Sequence, residues 1–306
     1  MQVENNVIQI RGLKKSYKRM EVLKGVDLNI KKGSIFCLLG SNGAGKTTMV
    51  KILATLLKAD SGEVILSGCD VKENPEQVRS VISLTGQYAA VDGLLTAREN
   101  LRMVGRLNHI NNVKAKTDQL LREFNLEYAA DRPVSTFSGG MRRRLDIAMS
   151  LIGNPEIIFL DEPTTGLDPQ SRIEMWKIIR EMAGAGVTVF LTTQYIEEAE
   201  QLANHIAVLH EGIIIAQGSA QELKSKLAGG AVLLGFEDTS SYITAQQVLK
   251  GCSYKLNDDT LTIEVATDGS VKQMANLLSN LNGTNIAYLE QKQASLEDVF
   301  LTLVAN

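Results

Sequence analysis

Eight residues of this chain spell G-x-x-x-x-G-K-[ST]: Gly40, Ser41, Asn42, Gly43, Ala44, Gly45, Lys46 and Thr47, with Thr48 directly after. That spacing makes a phosphate cradle. Glycines let successive backbone N–H groups converge on one point at the start of a helix, where the helix dipole also favours an anion. Lys46 then brings a point charge to the β- and γ-phosphates of a nucleoside triphosphate, and the Thr47 hydroxyl can ligate Mg²⁺.

A second chemical signal is Asp161-Glu162, two adjacent carboxylates delivered by the apolar run Ile157-Ile158-Phe159-Leu160. Carboxylates at the end of a buried strand are costly unless a cation or a reaction needs them, and a phosphate cradle already calls for a Mg²⁺ ligand. Ser138-Gly139-Gly140-Met141 opens a helix and has the make-up of another anion site. Ser-Gly-Gly is common in loops, so this tetrapeptide carries little weight by itself. Tyr17 sits in the polar stretch Lys14-Lys15-Ser16-Tyr17-Lys18. It reads either as an amphipathic strand residue or as a platform for a base.

The elements that must position these groups follow from the apolar pattern. Ile35-Phe36-Cys37-Leu38-Leu39 is a buried strand running into the cradle, and Met49, Ile52, Leu53 and Leu56 recur at helical spacing after it. Strand, glycine loop, helix is the order that the cradle requires. Residues 7–32 read as short strands, and residues 63–66 and 81–85 as two more. From Gln87 to about Asn154 the pattern turns helical. Thr96-Ala97-Arg98-Glu99 forms a capping box, and Leu145, Ala148, Met149 and Ile152 make an apolar stripe behind Ser138. Arg142-Arg143-Arg144, on that same helix, reads as a solvated face. Gly166-Leu167-Asp168-Pro169 is a turn into a further helix, Val187 to Leu191 a strand ending in Thr192-Thr193-Gln194, and His205 to Ala216 a strand pair. Ala228-Gly229-Gly230 is the expected domain boundary, after which strand, helix, hairpin, helix, strand and helix form a small α+β domain.

Composition narrows the class. The chain has 306 residues, 44% hydrophobic and 22% charged, with a net charge of −3 that leaves no footprint for nucleic acid. Cys37, Cys69 and Cys252 show no paired spacing, which argues against a disulfide framework or a zinc site. No apolar run approaches the roughly 20 residues that span a bilayer, so a membrane role would need a second polypeptide. None of His109, His205 and His210 has a nucleophile–base context.

Taken together and in this order, residues 40–47, Gln87, Ser138-Gly139-Gly140, Asp161-Glu162, the turn at Asp168 and Gln194 resemble the ATP-binding cassette (ABC) ATPases over about residues 5–220. The spellings Met141-Arg142-Arg143-Arg144-Leu145-Asp146, Leu191-Thr192-Thr193-Gln194-Tyr195 and Ser295-Leu296-Glu297-Asp298-Val299-Phe300 are similar to the daunorubicin-resistance type of drug exporter. The resemblance implies an α/β fold of the P-loop NTPase type. It comprises a mixed sheet with N-terminal antiparallel strands, a helical signature subdomain at about 88–154 in a nucleotide-binding domain of residues 1–227, and an accessory α+β domain of residues 228–306.

It also implies roles. Lys46 and Thr47 hold phosphate and Mg²⁺, Asp161 binds the metal, Glu162 polarises the attacking water, and Gln87 contacts metal or water. Tyr17 stacks on adenine. Ser138, Gly139, Gly140 and Met141 of one copy close over the γ-phosphate held by the other copy in a head-to-tail dimer, with Asp168 between subunits. The expected partners are ATP, a second copy and an integral membrane permease of the ABC-2 type, at the cytoplasmic face of the membrane. The expected work is export of a drug, antibiotic or lipid-like compound.

Two departures from the wider family are Phe137 and Met141 flanking the signature, and Gln194 where histidine is usual. The Gln194 amide can still donate to a γ-phosphate oxygen, but it carries no titrating proton. An importer, a lipid translocator or a soluble regulatory ATPase remain the alternatives. The chain has neither the two cassettes nor the long coiled coil of the soluble relatives.

Overall fold

Apolar runs that precede the glycine and carboxylate motifs become neighbouring strands of one sheet. The computed structural model describes residues 5–86, 90–227, 231–250, 253–267, 270–292 and 295–305. The chain forms two units, Met1–Ser219 and Ala220–Asn306. In order, the first contains β1 (Asn6–Tyr17), β2 (Met20–Lys31), β3 (Ile35–Leu39), α1 (Lys46–Leu53), β4 (Ser61–Leu66) and β5 (Cys69–Asp70). Then come α2 (Pro75–Val81), β6 (Ile82–Thr85), α3 (Ala97–Leu107), α4 (Val113–Glu123), α5 (Gly139–Ser150) and β7 (Ile157–Asp161). The unit closes with α6 (Pro169–Gly184), β8 (Thr188–Thr193), α7 (Ile196–Leu202), β9 (His205–His210) and β10 (Ile213–Gly218).

The main sheet has the order β10-β9-β3-β8-β7-β6, parallel except for the edge strand β10. Every residue of β3, β7 and β8 is buried. Burial on both faces is why these strands read as unbroken apolar runs and not as alternating ones. Register places Leu39 opposite Thr193 and Asp161 opposite Thr192. The carboxyl ends of β3, β7 and β8 therefore stand side by side, where open α/β sheets bind ligands.

The antiparallel sheet β2-β1-β4-β5 is built on two 12-residue strands, where the sequence pattern gives several short ones. Its β1–β2 register shifts four times, between Asn6 and Ile8, Ile10 and Leu13, Leu13 and Lys14, and Lys15 and Ser16. Each bulge resets the two-residue alternation, so continuous strands look fragmented. Ile8, Ile10, Leu28 and Ile30 from this sheet meet Met49 and Leu53 of α1 and Phe36, Phe159 and Phe190 of the main sheet in one core. Ring centroids of Phe36 and Phe190 lie 5.0 Å apart and those of Phe159 and Phe190 5.5 Å apart.

Between β6 and β7 the capping box at Thr96 is complete. Thr96 Oγ1 accepts from the Glu99 N–H at 3.1 Å while the Thr96 N–H donates to Glu99 Oε2 at 2.8 Å.

The second unit contains α8 (Ala220–Leu227), β11 (Ala231–Phe236), α9 (Thr239–Val248), β12 (Tyr254–Asn257), β13 (Thr262–Ala266), α10 (Val271–Asn280), β14 (Ile286–Lys292) and α11 (Leu296–Ala305). Its antiparallel sheet runs β12-β13-β11-β14, which is two interleaved split βαβ units. The hairpin turn is fixed by Asn257, whose Oδ1 accepts from the N–H groups of Asp259 and Thr260 at 3.2 and 3.3 Å. α8 groups with this unit, which begins eight residues before Ala228, where the sequence pattern puts the boundary. Ala228-Gly229-Gly230 itself lies outside the described residues.

Phe190 is fully buried between two other rings. Phe190→Ala is expected to lower stability by about 3–5 kcal/mol, measured as a shift in the urea midpoint of the first unit.

Candidate nucleotide site

At the end of β3 the backbone is gripped from both sides. The Gly40 N–H donates to the Thr193 carbonyl at 3.2 Å, and a Cβ on Gly40 would sit 2.4 Å from the Leu209 carbonyl oxygen. Only glycine fits there. Gly45, at φ +111°, is the N-cap of α1, and a Cβ on it would lie 2.9 Å from the Val22 carbonyl oxygen of β2. Ser41, Asn42 and Gly43 are exposed, Thr48 is half-buried, and Ala44 and Lys46 are buried. Lys46 Nζ donates to the carbonyls of Gly40 and Ser41 at 2.8 and 3.1 Å and lies 3.5 Å from Glu162 Oε1.

The carboxylate pair arrives from β7. Asp161 accepts from Thr47 Oγ1 at 3.0 Å with one oxygen and from Thr192 Oγ1 at 2.5 Å with the other. Glu162 follows at φ +50°, a conformation that costs a side-chain-bearing residue about 1–3 kcal/mol. It is held there by its N–H, which donates to the Thr192 carbonyl at 3.1 Å and to Thr192 Oγ1 at 3.2 Å. Thr165 Oγ1 donates to Glu162 Oε2 at 3.2 Å. A hydroxyl and a carboxylate 3.0 Å apart are hard oxygen donors of the kind Mg²⁺ prefers. No cluster of three or more His, Cys, Asp or Glu side chains suited to a metal occurs among the described residues. A Mg²⁺ ion there would complete its shell with water and phosphate oxygens, its usual habit.

Ser138 caps α5 by accepting from the Met141 N–H at 3.2 Å. Ser138 and Gly139 are exposed, while Gly140 and Met141 are buried. A Cβ on Gly140 would lie 2.6 Å from Ser171 Oγ, so this helix start is pressed against the start of α6. There Asp168 is the N-cap, accepting from the Ser171 N–H at 2.9 Å and from its hydroxyl at 2.6 Å. Those two bonds hold the Asp168 carboxyl below its ordinary range.

The structure therefore makes two clusters of the residues singled out in the sequence. Residues 40–47 join Asp161 and Glu162, and residues 138–141 join Asp168. Gln194, half-buried, directly follows Thr193 at the end of β8. Tyr17 ends β1 and is 46% exposed, its ring 5.8 Å from Lys15 Nζ. Gln87 lies outside the described residues.

The solvated face expected of residues 142–144 holds for Arg142, which is exposed, but not for the half-buried Arg144 or the buried Arg143. Arg143 is 6% exposed and donates to the carbonyls of Gly86, Pro163 and Asp161 at 2.6, 3.0 and 3.2 Å, and to Asp146 Oδ2 at 3.2 Å. It thereby ties α5 to the ends of β6 and β7. Arg142 donates to the Ser135 carbonyl at 2.8 Å, and Arg144 lies 3.4 Å from Glu174. Burial pushes the Arg143 pKa down and that of Asp146 up, with each charge offsetting part of the other's shift. A basic triplet looks solvated when nothing in its spacing distinguishes carbonyls from water as partners.

Glu198 is also absent from the sequence reading. It is 0% exposed on α7, four residues past Gln194, and Trp176 Nε1 donates to its Oε1 at 3.4 Å. Burial raises its pKa despite the hydroxyls of Thr193 and Thr164, Trp176 and the charge of Arg172. Its signal was present: Glu198 lies on the same helical face as Leu202, a carboxylate on an apolar stripe.

With a folded pKa above the unfolded value, Glu198 favours the fold most at low pH. That contribution is lost as pH climbs from the ordinary 4.5 through the raised value. Glu198→Gln is expected to remove this slope. Its melting temperature, compared with wild type from pH 5 upward, should therefore gain steadily on the alkaline side.

The profile of the ABC transporter family matches residues 23–165. The daunorubicin/doxorubicin resistance ATP-binding protein DrrA of Streptomyces peucetius is 43% identical, over 98% of this chain and 92% of that protein. Nod factor export ATP-binding protein I of Cupriavidus metallidurans is 35% identical, over 98% of each. Among solved structures, cbiO1 of Clostridium perfringens, part of an ABC transporter complex, superposes with a TM-score of 0.68 at 27% identity, covering 73% of this chain and 92% of that one. A dimeric ATP-binding cassette in a post-hydrolysis state with ADP and Pi gives 0.63 at 27%, covering 69% and 98%. Likeness to full-length relatives, on a fold that brings a phosphate cradle and a carboxylate pair to strand ends flanking β8, places this chain in the ABC transporter family, whose ATP-binding subunits dimerise and hydrolyse ATP to drive a membrane permease.

Proposed function

We propose that this chain is the ATP-hydrolysing subunit of an exporter, acting as a homodimer on a separate permease of the ABC-2 type at the cytoplasmic face of the membrane. The cargo is a drug, an antibiotic or a lipid-like compound. Full-length likeness carries the reading. Solved cassettes cover 69–73% of the chain, about the share made up by the first unit, 219 of 306 residues. The drug-resistance and Nod factor export relatives cover 98%, so what they share includes the second unit. No helix among the described residues is long and apolar enough to cross a membrane, which fits a division of labour with a permease.

In this reading Lys46 and the N–H groups of residues 40–48 bind the β- and γ-phosphates, and Tyr17 carries the adenine. Thr47, Asp161 and Gln87 hold Mg²⁺, which when bound neutralises phosphate charge. Glu162 orients the attacking water and takes up its proton, its place fixed by the two bonds from its N–H to Thr192. Gln194 donates to a γ-phosphate oxygen. The exposed Ser138 and Gly139, followed by Gly140 and Met141, close on the nucleotide of the other copy, with Asp168 at the boundary between copies. Catalysis of this kind is positioning plus electrostatic stabilisation.

Glu162→Gln is expected to keep ATP affinity, to lower phosphate release by about 10²–10⁴-fold, and to accumulate as an ATP-bound dimer on size exclusion with Mg-ATP. Near-normal phosphate release would remove Glu162 from its role. For the export assignment, the chain co-purified with its permease should hydrolyse ATP faster in the presence of amphipathic drugs. Stimulation only by a solute moved inward would overturn it.

A further inference from the structure

Tyr17 stands at the tip of the β1–β2 hairpin, followed by Lys18 at φ +55°. On one side β2 supports it, pairing Ser16 with Glu21 and Tyr17 with Met20. On the other side β4 cannot, because its pairing with β1 stops at Lys14 opposite Ser61, the first residue of β4. An unsupported strand end of this kind frays, and a base platform on it would have no fixed position.

Asp60, the residue before β4, takes the place of the missing strand. Its N–H donates to the Lys14 carbonyl at 3.0 Å. Its Oδ2 accepts from the Ser16 N–H at 2.6 Å, and its Oδ1 accepts from Lys15 Nζ at 2.7 Å. One residue thus engages three successive residues ahead of Tyr17. The tethered Lys15 Nζ lies over the Tyr17 ring, 5.8 Å from its centroid and within cation–π reach. The Lys15 side chain is only 13% exposed, against 44% for Asp60. The bonds from Lys15 and the Ser16 N–H hold the Asp60 carboxyl below its ordinary range, so it stays ionised through neutral pH.

We propose that Asp60 is a positioning residue for nucleotide binding, fixing the end of β1 and the Lys15 ammonium so that one face of the Tyr17 ring is held ready for the base. The inference rests on the reading of Tyr17 as the adenine platform. Asp60 also lies on the segment that leaves α1, the helix started by the phosphate cradle. The same stretch of chain therefore sets the phosphate end and the base end of the site. An ion pair whose carboxylate is 44% exposed contributes little to stability, so the effect of Asp60 should appear in recognition of the base more than in folding.

The test uses the full chain, with ATP and inorganic tripolyphosphate as calorimetric ligands, the second lacking a base. Tyr17→Ala and Asp60→Ala are each expected to weaken ATP on the order of tenfold, while tripolyphosphate affinity stays at the wild-type value. The double variant should bind ATP no more weakly than either single one, because both changes remove the same platform. Asp60→Asn, which keeps an acceptor for the Ser16 N–H but loses the ammonium, should fall between wild type and Asp60→Ala. Normal ATP affinity in Asp60→Ala, an equal loss for tripolyphosphate, or additive losses in the double variant would each overturn the proposal. Normal ATP affinity in Tyr17→Ala would overturn the platform reading and the proposal with it. A weakened Tyr17→Ala beside a normal Asp60→Ala would reject the role of Asp60 alone.

Discussion

The Asp161 carboxylate is the constraint on which the rest of this site depends. It is 6% exposed at the end of a fully buried strand, where an unpartnered charge would cost several kcal/mol. Both oxygens are occupied, one by Thr47 on α1 and one by Thr192 on β8. Those bonds require Asp161 to stand opposite Thr192, which the β7–β8 register provides. A one-residue slip would turn every side chain of β7 to the other face. The tightly packed rings of Phe36, Phe159 and Phe190 make that slip expensive. Core packing and site geometry are thus one constraint seen from the apolar and the polar side.

From this strand end the structure reaches both helix starts that can hold an anion. α1 is tied to it through Thr47. α5 is tied to it through Arg143, which bonds the Asp161 and Pro163 carbonyls, and again through the contact of Gly140 with Ser171 beyond the turn. Glu162 opens that turn in a left-handed conformation, stabilised by Thr192 and Thr165. The strain falls on the residue proposed to present a carboxylate to water, as expected where surroundings over-determine one conformation.

How much of this was legible depends on whether a residue's type alone fixes its role. The cradle glycines, Lys46 and Asp161 follow a spacing that phosphate and metal chemistry demands, so their pattern survives in one dimension, whereas Ser138 stands out only in company with them. Arg143, Glu198 and Asp60 act through partners set by tertiary contact: Gly86 is 57 positions from Arg143, and Ser16 is 44 from Asp60. Nothing local separates Arg143 and Asp60 from ordinary surface charge, and Glu198 betrays itself only by its place on an apolar stripe. The long strands β1 and β2 were obscured because bulges reset their alternation. The order of elements in the second unit was plain because its turns carry their own chemistry, as Asn257 shows.

Gln194 changes what pH can do to such a machine. A histidine at the end of β8 would titrate near neutrality and alter its bond to a γ-phosphate, whereas an amide donates one hydrogen bond at every pH. His205 stacks on Phe36, with centroids 6.0 Å apart, in a position fixed by packing. The buried carboxyls whose protonation is shifted are supports: Asp146 beside Arg143 on α5, and Glu198 on α7. Both are raised by burial, so rising pH charges carboxyls that hold helices. In the proposed site the Gln194 amide therefore adds no pH dependence of its own to turnover, because its donor capacity is constant across the range.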